Sequence, residues 1–107
     1  MEKKPKTTKE KERYVIVRTY AMGVFAGTLD PSSTESLKIL CNARRLWQWS
    51  GAASLSQLSQ EGVKNPGGCK FPVEVPRVEL TSPNGFEVLD VSEAARVNIA
   101  AVPVWKL

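Results

Sequence analysis

YVIVRTY (residues 14–20) and VFAGTL (residues 24–29), separated by Ala21, Met22 and Gly23, decide the fold. β-Branched and aromatic residues dominate both stretches, and a short glycine-containing link between two such runs signals a β-hairpin. In extended chain Val15, Val17 and Thr19 share one face, and Tyr14, Ile16, Arg18 and Tyr20 share the other. Neither set is purely polar, so both faces of this strand are expected to be covered. Moving outward, DPSST (residues 30–34) collects turn formers, after which Leu37, Ile39 and Cys41 alternate with Lys38, Leu40 and Asn42. That alternation predicts a third strand, antiparallel to the second.

Further along, FPVEVPRVEL (residues 71–80) alternates well but contains Pro72 and Pro76, which cannot donate to a ladder and so predict an edge or bulged strand. SPNG (residues 82–85) reads as a turn, and FEVLDV (residues 86–91) as the strand that returns beside residues 71–80 in a second hairpin. Two helices are expected. Ser50 and Gly62 bracket AASLSQLSQE, with Ala52, Leu55, Leu58 and Ser59 facing inward. Ser92 caps a second helix over residues 93–101, with Ala94, Val97 and Ala101 on one face. Pro103 ends that helix, and residues 102–105 are expected to dock as a last short strand. VKNPGGCK (residues 63–70) reads as an exposed loop. The fold class is therefore α+β: a twisted antiparallel sheet, open or rolled toward a small barrel, with two short helices.

A chain of 107 residues with 42% hydrophobic and 24% charged residues fits one globular domain, assigned to residues 14–107. Residues 1–13 carry six cations against three acids, most of the chain's net charge of +4. This basic tail reads either as a solvated, mobile segment or as a loose electrostatic contact for nucleic acid. The chain has no histidine, which removes the commonest general base and metal ligand and the Ser-His and Cys-His pairs. Cys41 and Cys69 are too few and too far apart for a metal cluster, so neither a metal nor a cofactor is expected. No apolar run reaches 18 residues and no charged-then-apolar leader opens the chain. The expectation is a cytosolic protein without membrane contact.

ARRLWQWSG (residues 43–51) is the densest local feature, with two arginines and two of the three tryptophans within six residues. As a strand it places Arg45, Trp47 and Trp49 on one side and Arg44, Leu46, Gln48 and Ser50 on the other. Guanidinium groups pair with phosphate and indoles stack on bases, so Arg44, Arg45, Trp47 and Trp49 are candidate ligands for a nucleotide-like molecule. The competing reading makes both tryptophans core and both arginines a solvated edge. Ser54 and Gln57 lie on the polar face of the first helix and either are solvated or hydrogen-bond a ligand or host protein. No phosphate loop and no suitably spaced acid pair occurs, so a non-enzyme is expected.

GVFAGTL (residues 23–29), NARRLWQWSGAASLSQL (residues 42–58) and CKFPVEVPRVEL (residues 69–80) together resemble an uncharacterised family of small phage and prophage proteins. The resemblance implies phage origin and action in the host cytoplasm and transfers no site. Locally, residues 23–43, with glycines four apart and a turn at Asp30, resemble the first motif of Sm-like small barrels. The functional expectation is a phage accessory protein acting by binding, sequestering a nucleotide-like host signal within a homo-oligomer. A binding module for RNA or single-stranded DNA, and an inhibitor or structural protein docking on a host or phage protein, are the alternatives.

Overall fold

The computed structural model describes residues 12–107. Of the basic tail expected over residues 1–13, residues 1–11 lie outside the described residues. Arg13 belongs to the first strand, where its guanidinium pairs with Asp90 at 2.7 Å. Five strands form one antiparallel sheet: β1 (Arg13–Thr19), β2 (Val24–Leu29), β3 (Leu37–Arg45), β4 (Val75–Thr81) and β5 (Phe86–Asp90). Their order is β4-β3-β2-β1-β5. Helix α1 (Leu55–Glu61) and a 3-10 turn (Pro66–Gly68) lie between β3 and β4, and helix α2 (Glu93–Ala101) follows β5.

The expected hairpin of residues 71–80 with residues 86–91 does not form. β4 pairs with β3 and β5 pairs with β1, so the two occupy opposite edges of the sheet. Ser82 to Gly85 makes the expected turn, with the Gly85 amide donating to the Ser82 carbonyl at 3.1 Å, but the turn joins the two edges rather than two neighbours. In a flat sheet those edges would stand about 19 Å apart, four strand spacings. A four-residue turn with one residue on each side spans less than about 15 Å. The sheet therefore rolls, without closing into a ladder between β4 and β5.

Rolling gives the sheet two cores, as the apolar residues on both faces of β1 require. Val15, Ile16 and Val17 are all fully buried. Ile16, Ala26 and Leu46 pack under the helices with Leu58, Val63, Cys69, Phe71, Ile99 and Val102. Val15, Val17, Phe25, Leu40, Ala43 and Leu80 fill the other face, closed by Val78 of β4 and by Phe86 and Val88 of β5. Leu40 and Ala43 share this second core although they lie three positions apart, an odd spacing that would put them on opposite faces of a regular strand. A bulge explains it: the β2–β3 register shifts between Ala26 and Thr28, and Asn42 at the extra position takes φ of 50°. Gly27 faces the bulge, and a Cβ there would sit 3.1 Å from both the Ala43 Cα and the Cys41 carbonyl oxygen.

Helix α1 begins later than expected, capped by Ser54 rather than Ser50. Gly51, at φ of 93°, is held against residues 64–65, and its carbonyl accepts from the Lys64 amide at 3.1 Å. This diverts the chain before a helix can start. Leu58 and Ser59 are its buried residues, with Leu55 and Ala52 half-buried beside them. Helix α2 matches residues 93–101 with Ser92 as cap, but Ala95 and Ile99 form its buried stripe and Val97 is 59% exposed. The expected face of Ala94, Val97 and Ala101 is rotated outward, because the helix meets the core through Ala95 and Ile99, four apart, a stripe that continues three positions on at Val102. Residues 63–70 are only partly exposed, since Val63 and Cys69 are core residues.

Gly62 links α1 to α2. Its φ of 76° is a left-handed value, and a Cβ there would lie 2.4 to 2.7 Å from the Asn98 side chain. That side chain makes both hydrogen bonds available at Val63, accepting from its amide at 2.8 Å and donating to its carbonyl at 2.9 Å. Gly62→Ala is expected to cost about 2–4 kcal/mol, combining left-handed strain with loss of this pair. Urea unfolding measures it.

Candidate functional site: a tryptophan pair at the surface and a buried arginine

Strand alternation sorts Arg44 to Trp47 as expected and then fails. Arg44 and Leu46 point inward, and Arg45 and Trp47 outward. After the isolated antiparallel bridge of Gln48 with Lys70, Trp49 turns in against the helix-side core instead of sharing a face with Trp47. The four residues read as one cluster thus take four different roles.

Arg44 is 5% exposed. Its guanidinium donates to four backbone carbonyls: Nε to Pro72 at 3.0 Å, Nη1 to Ile99 at 2.8 Å, and Nη2 to Phe71 at 3.1 Å and Val102 at 2.7 Å. Two of these acceptors lie at the C-terminal end of α2, where the helix dipole is negative; Val102 is its C-cap, and the Ile99 carbonyl also accepts from the Val102 amide at 3.2 Å. The guanidinium also stands 5.5 Å from the centre of the Phe71 ring. Burial lowers its pKa, opposed by the nearby Tyr14, Glu74 and Cys69 groups. Arg44 therefore clamps β3 to α2 and to residues 71–72. Arg45 is exposed, lies 4.3 Å over the Phe25 ring and donates to the Met22 carbonyl at 2.9 Å. Ser54 and Gln57 serve α1: the Ser54 hydroxyl accepts from the Gln57 amide at 3.1 Å, while the Gln57 side chain accepts from the Ala53 amide and donates to Glu61.

Trp47 is 59% exposed, an unusual setting for so large an apolar ring. It packs on Trp105 with ring centres 5.0 Å apart and planes tilted by 53°. The Lys70 ammonium stands 5.5 Å from the Trp47 ring and 5.4 Å from the Trp105 ring. Three sequence-distant segments build this surface. Gln48 bridges Lys70, Phe71 bridges Val104 in parallel, and the Trp105 amide donates to the Phe71 carbonyl at 3.0 Å. Trp105 and Lys70 have no local motif that announces them; the only signal is that the third tryptophan falls in the segment expected to dock as a final strand.

Beside Arg44 opens a cleft of about 390 Å³ lined by Tyr14, Thr28, Asn42, Glu74 and Arg96 over an apolar wall of Ala100, Val102 and Val104. The Arg96 guanidinium lies 5.2 Å from the Tyr14 ring centre. Burial, then the Glu74 charge, raises the Tyr14 pKa, and Arg96 and Arg44 lower it. Among the described residues no group of three or more His, Cys, Asp or Glu could hold a metal ion, and no helix is long and apolar enough to cross a membrane.

No curated protein and no solved structure matches this chain. A family model does match it over residues 12–99, from the start of β1 to within α2 and across Trp47 and Lys70. The chain belongs to the family described as a domain of unknown function, DUF6948.

Proposed function

We propose that this chain is a binding module rather than an enzyme, and that it takes nucleotide units of single-stranded RNA or DNA on the surface made by Trp47, Trp105 and Lys70. The observation that carries this reading is the 59% exposed Trp47 held against Trp105 with one ammonium about equally near both rings. Exposed indoles stack on any base, and a neighbouring lysine supplies a point charge for the phosphate. The surplus of 15 basic over 11 acidic residues favours the same partner. Sequestration of a nucleotide-like host signal by a phage accessory protein in a homo-oligomer is the small-molecule form of this reading. It requires a second copy to wall the site, since the Trp47 surface is open.

The test is fluorescence titration with an oligothymidylate of about ten nucleotides. Affinity should fall steeply between roughly 50 and 200 mM salt. Trp47→Ala should weaken binding about 5- to 150-fold, the stacking of one base, and Lys70→Ala should flatten the salt dependence by about one phosphate contact. Salt-insensitive binding, or equal affinity in Trp47→Ala, contradicts the proposal. A host protein captured through Trp47 in the absence of oligonucleotide binding would favour the docking alternative.

A further inference from the structure

The cleft beside Arg44 uses none of the residues of the tryptophan surface, and several of its polar side chains have no hydrogen-bond partner among the described residues. Among the described residues, the Tyr14 hydroxyl and the side chains of Thr28, Asn42 and Glu74 make no hydrogen bond to protein, although Ser, Thr, Asn and Gln side chains elsewhere cap turns and helices. Arg96 lies over the Tyr14 ring and reaches Glu93 at a long 3.9 Å. By contrast the floor is fixed, because Arg44 is held by its four carbonyls. Asn42 is displayed by the β3 bulge at φ of 50°, so the sheet irregularity itself aims an amide at this cleft.

We infer that this cleft is a binding site for a free nucleoside monophosphate. Its volume of about 390 Å³ lies within the range of small-molecule pockets. Two guanidinium groups and one carboxylate line the cleft, so it favours an anion, and Arg96, held only by a long 3.9 Å contact with Glu93 and by the Tyr14 ring, can turn to pair bidentately with a phosphate. Glu74 and Asn42 offer the acceptor and the amide that read exocyclic amino groups and ring nitrogens of bases. Ala100, Val102 and Val104 supply the apolar wall that a base face requires.

Isothermal titration of the whole chain with AMP, GMP, CMP, UMP and inorganic phosphate tests the assignment. At least one nucleotide should bind with Kd below about 1 mM, and inorganic phosphate at least tenfold more weakly. Arg96→Ala and Glu74→Gln should each weaken that nucleotide at least tenfold, with melting temperatures unchanged because both side chains are exposed. Asn42→Gly, which keeps the left-handed backbone and removes only the amide, should weaken it as well. The inference is overturned if none of the four nucleotides binds at that concentration, if inorganic phosphate binds as tightly, or if the three variants bind like the parent. Trp47→Ala should leave the nucleotide titration unchanged, so failure here is separable from failure of the oligonucleotide reading.

Discussion

Arg44→Met should destabilise the domain by about 3–5 kcal/mol, the cost of leaving buried backbone carbonyls without their charged donor. Four backbone carbonyls lose the guanidinium at once; Phe71 and Ile99 keep the amides of Trp105 and Val102, whereas Pro72 and Val102 lose the side-chain donor they have. Met can fill the volume but offers no hydrogen. For a domain of this size the melting temperature should fall by at least about 12 °C. Arg44→Lys should recover little, because a single ammonium cannot span acceptors on residues 71, 72, 99 and 102. Thermal and urea unfolding measure both variants. Near-neutral stability in Arg44→Met would show that the carbonyls find other partners and that Arg44 is free for a ligand, as the sequence reading allowed.

Phe71→Ala should cost a similar amount, about 3–5 kcal/mol, from loss of a fully buried ring at the centre of the helix-side core. It carries a second consequence that an ordinary core truncation would not. Phe71 supplies the carbonyl to which the Trp105 amide donates and the bridge to Val104, so its backbone holds Trp105, the half-buried member of the tryptophan pair. Tryptophan fluorescence should therefore change in the folded Phe71→Ala protein below its transition. Combined with Arg44→Met the loss should be less than additive, since the guanidinium lies 5.5 Å from the centre of this ring and donates to this residue's carbonyl.

Local pattern made the first three strands and the second helix legible, because alternation over residues 14–41 and the Ser92 cap depend on neighbours in sequence. The prolines of residues 71–80 also marked β4 as an edge strand, but the placing of β5 at the opposite edge was not legible. SPNG is an equally good turn whether it joins paired strands or the two rims of a rolled sheet, and only the four-residue limit on that link, taken with the strand order, tells them apart. The bulge at Asn42 was hidden for a similar reason: a single inserted residue shifts the face of everything after it, so Arg44 reads as a surface residue by composition and is buried by register. Within the candidate site, Trp47 was visible as an aromatic beside cations, whereas Lys70 and Trp105 reach it only through two isolated bridges between distant segments. Trp49 was misplaced because the strand it was assigned to ends four residues earlier, at Arg45.

The most direct measurement is of the three indole N–H resonances in a ¹H–¹⁵N spectrum during titration with oligothymidylate. The chain has three tryptophans, so each serves as a reporter with the others as controls. The Trp47 and Trp105 signals should shift together and saturate at one affinity, and the Trp49 signal, packed against the helix-side core, should stay in place. Shifts confined to Trp49, or no indole shift while backbone amides elsewhere respond, would contradict the assignment of the Trp47–Trp105–Lys70 surface as the nucleic-acid interface.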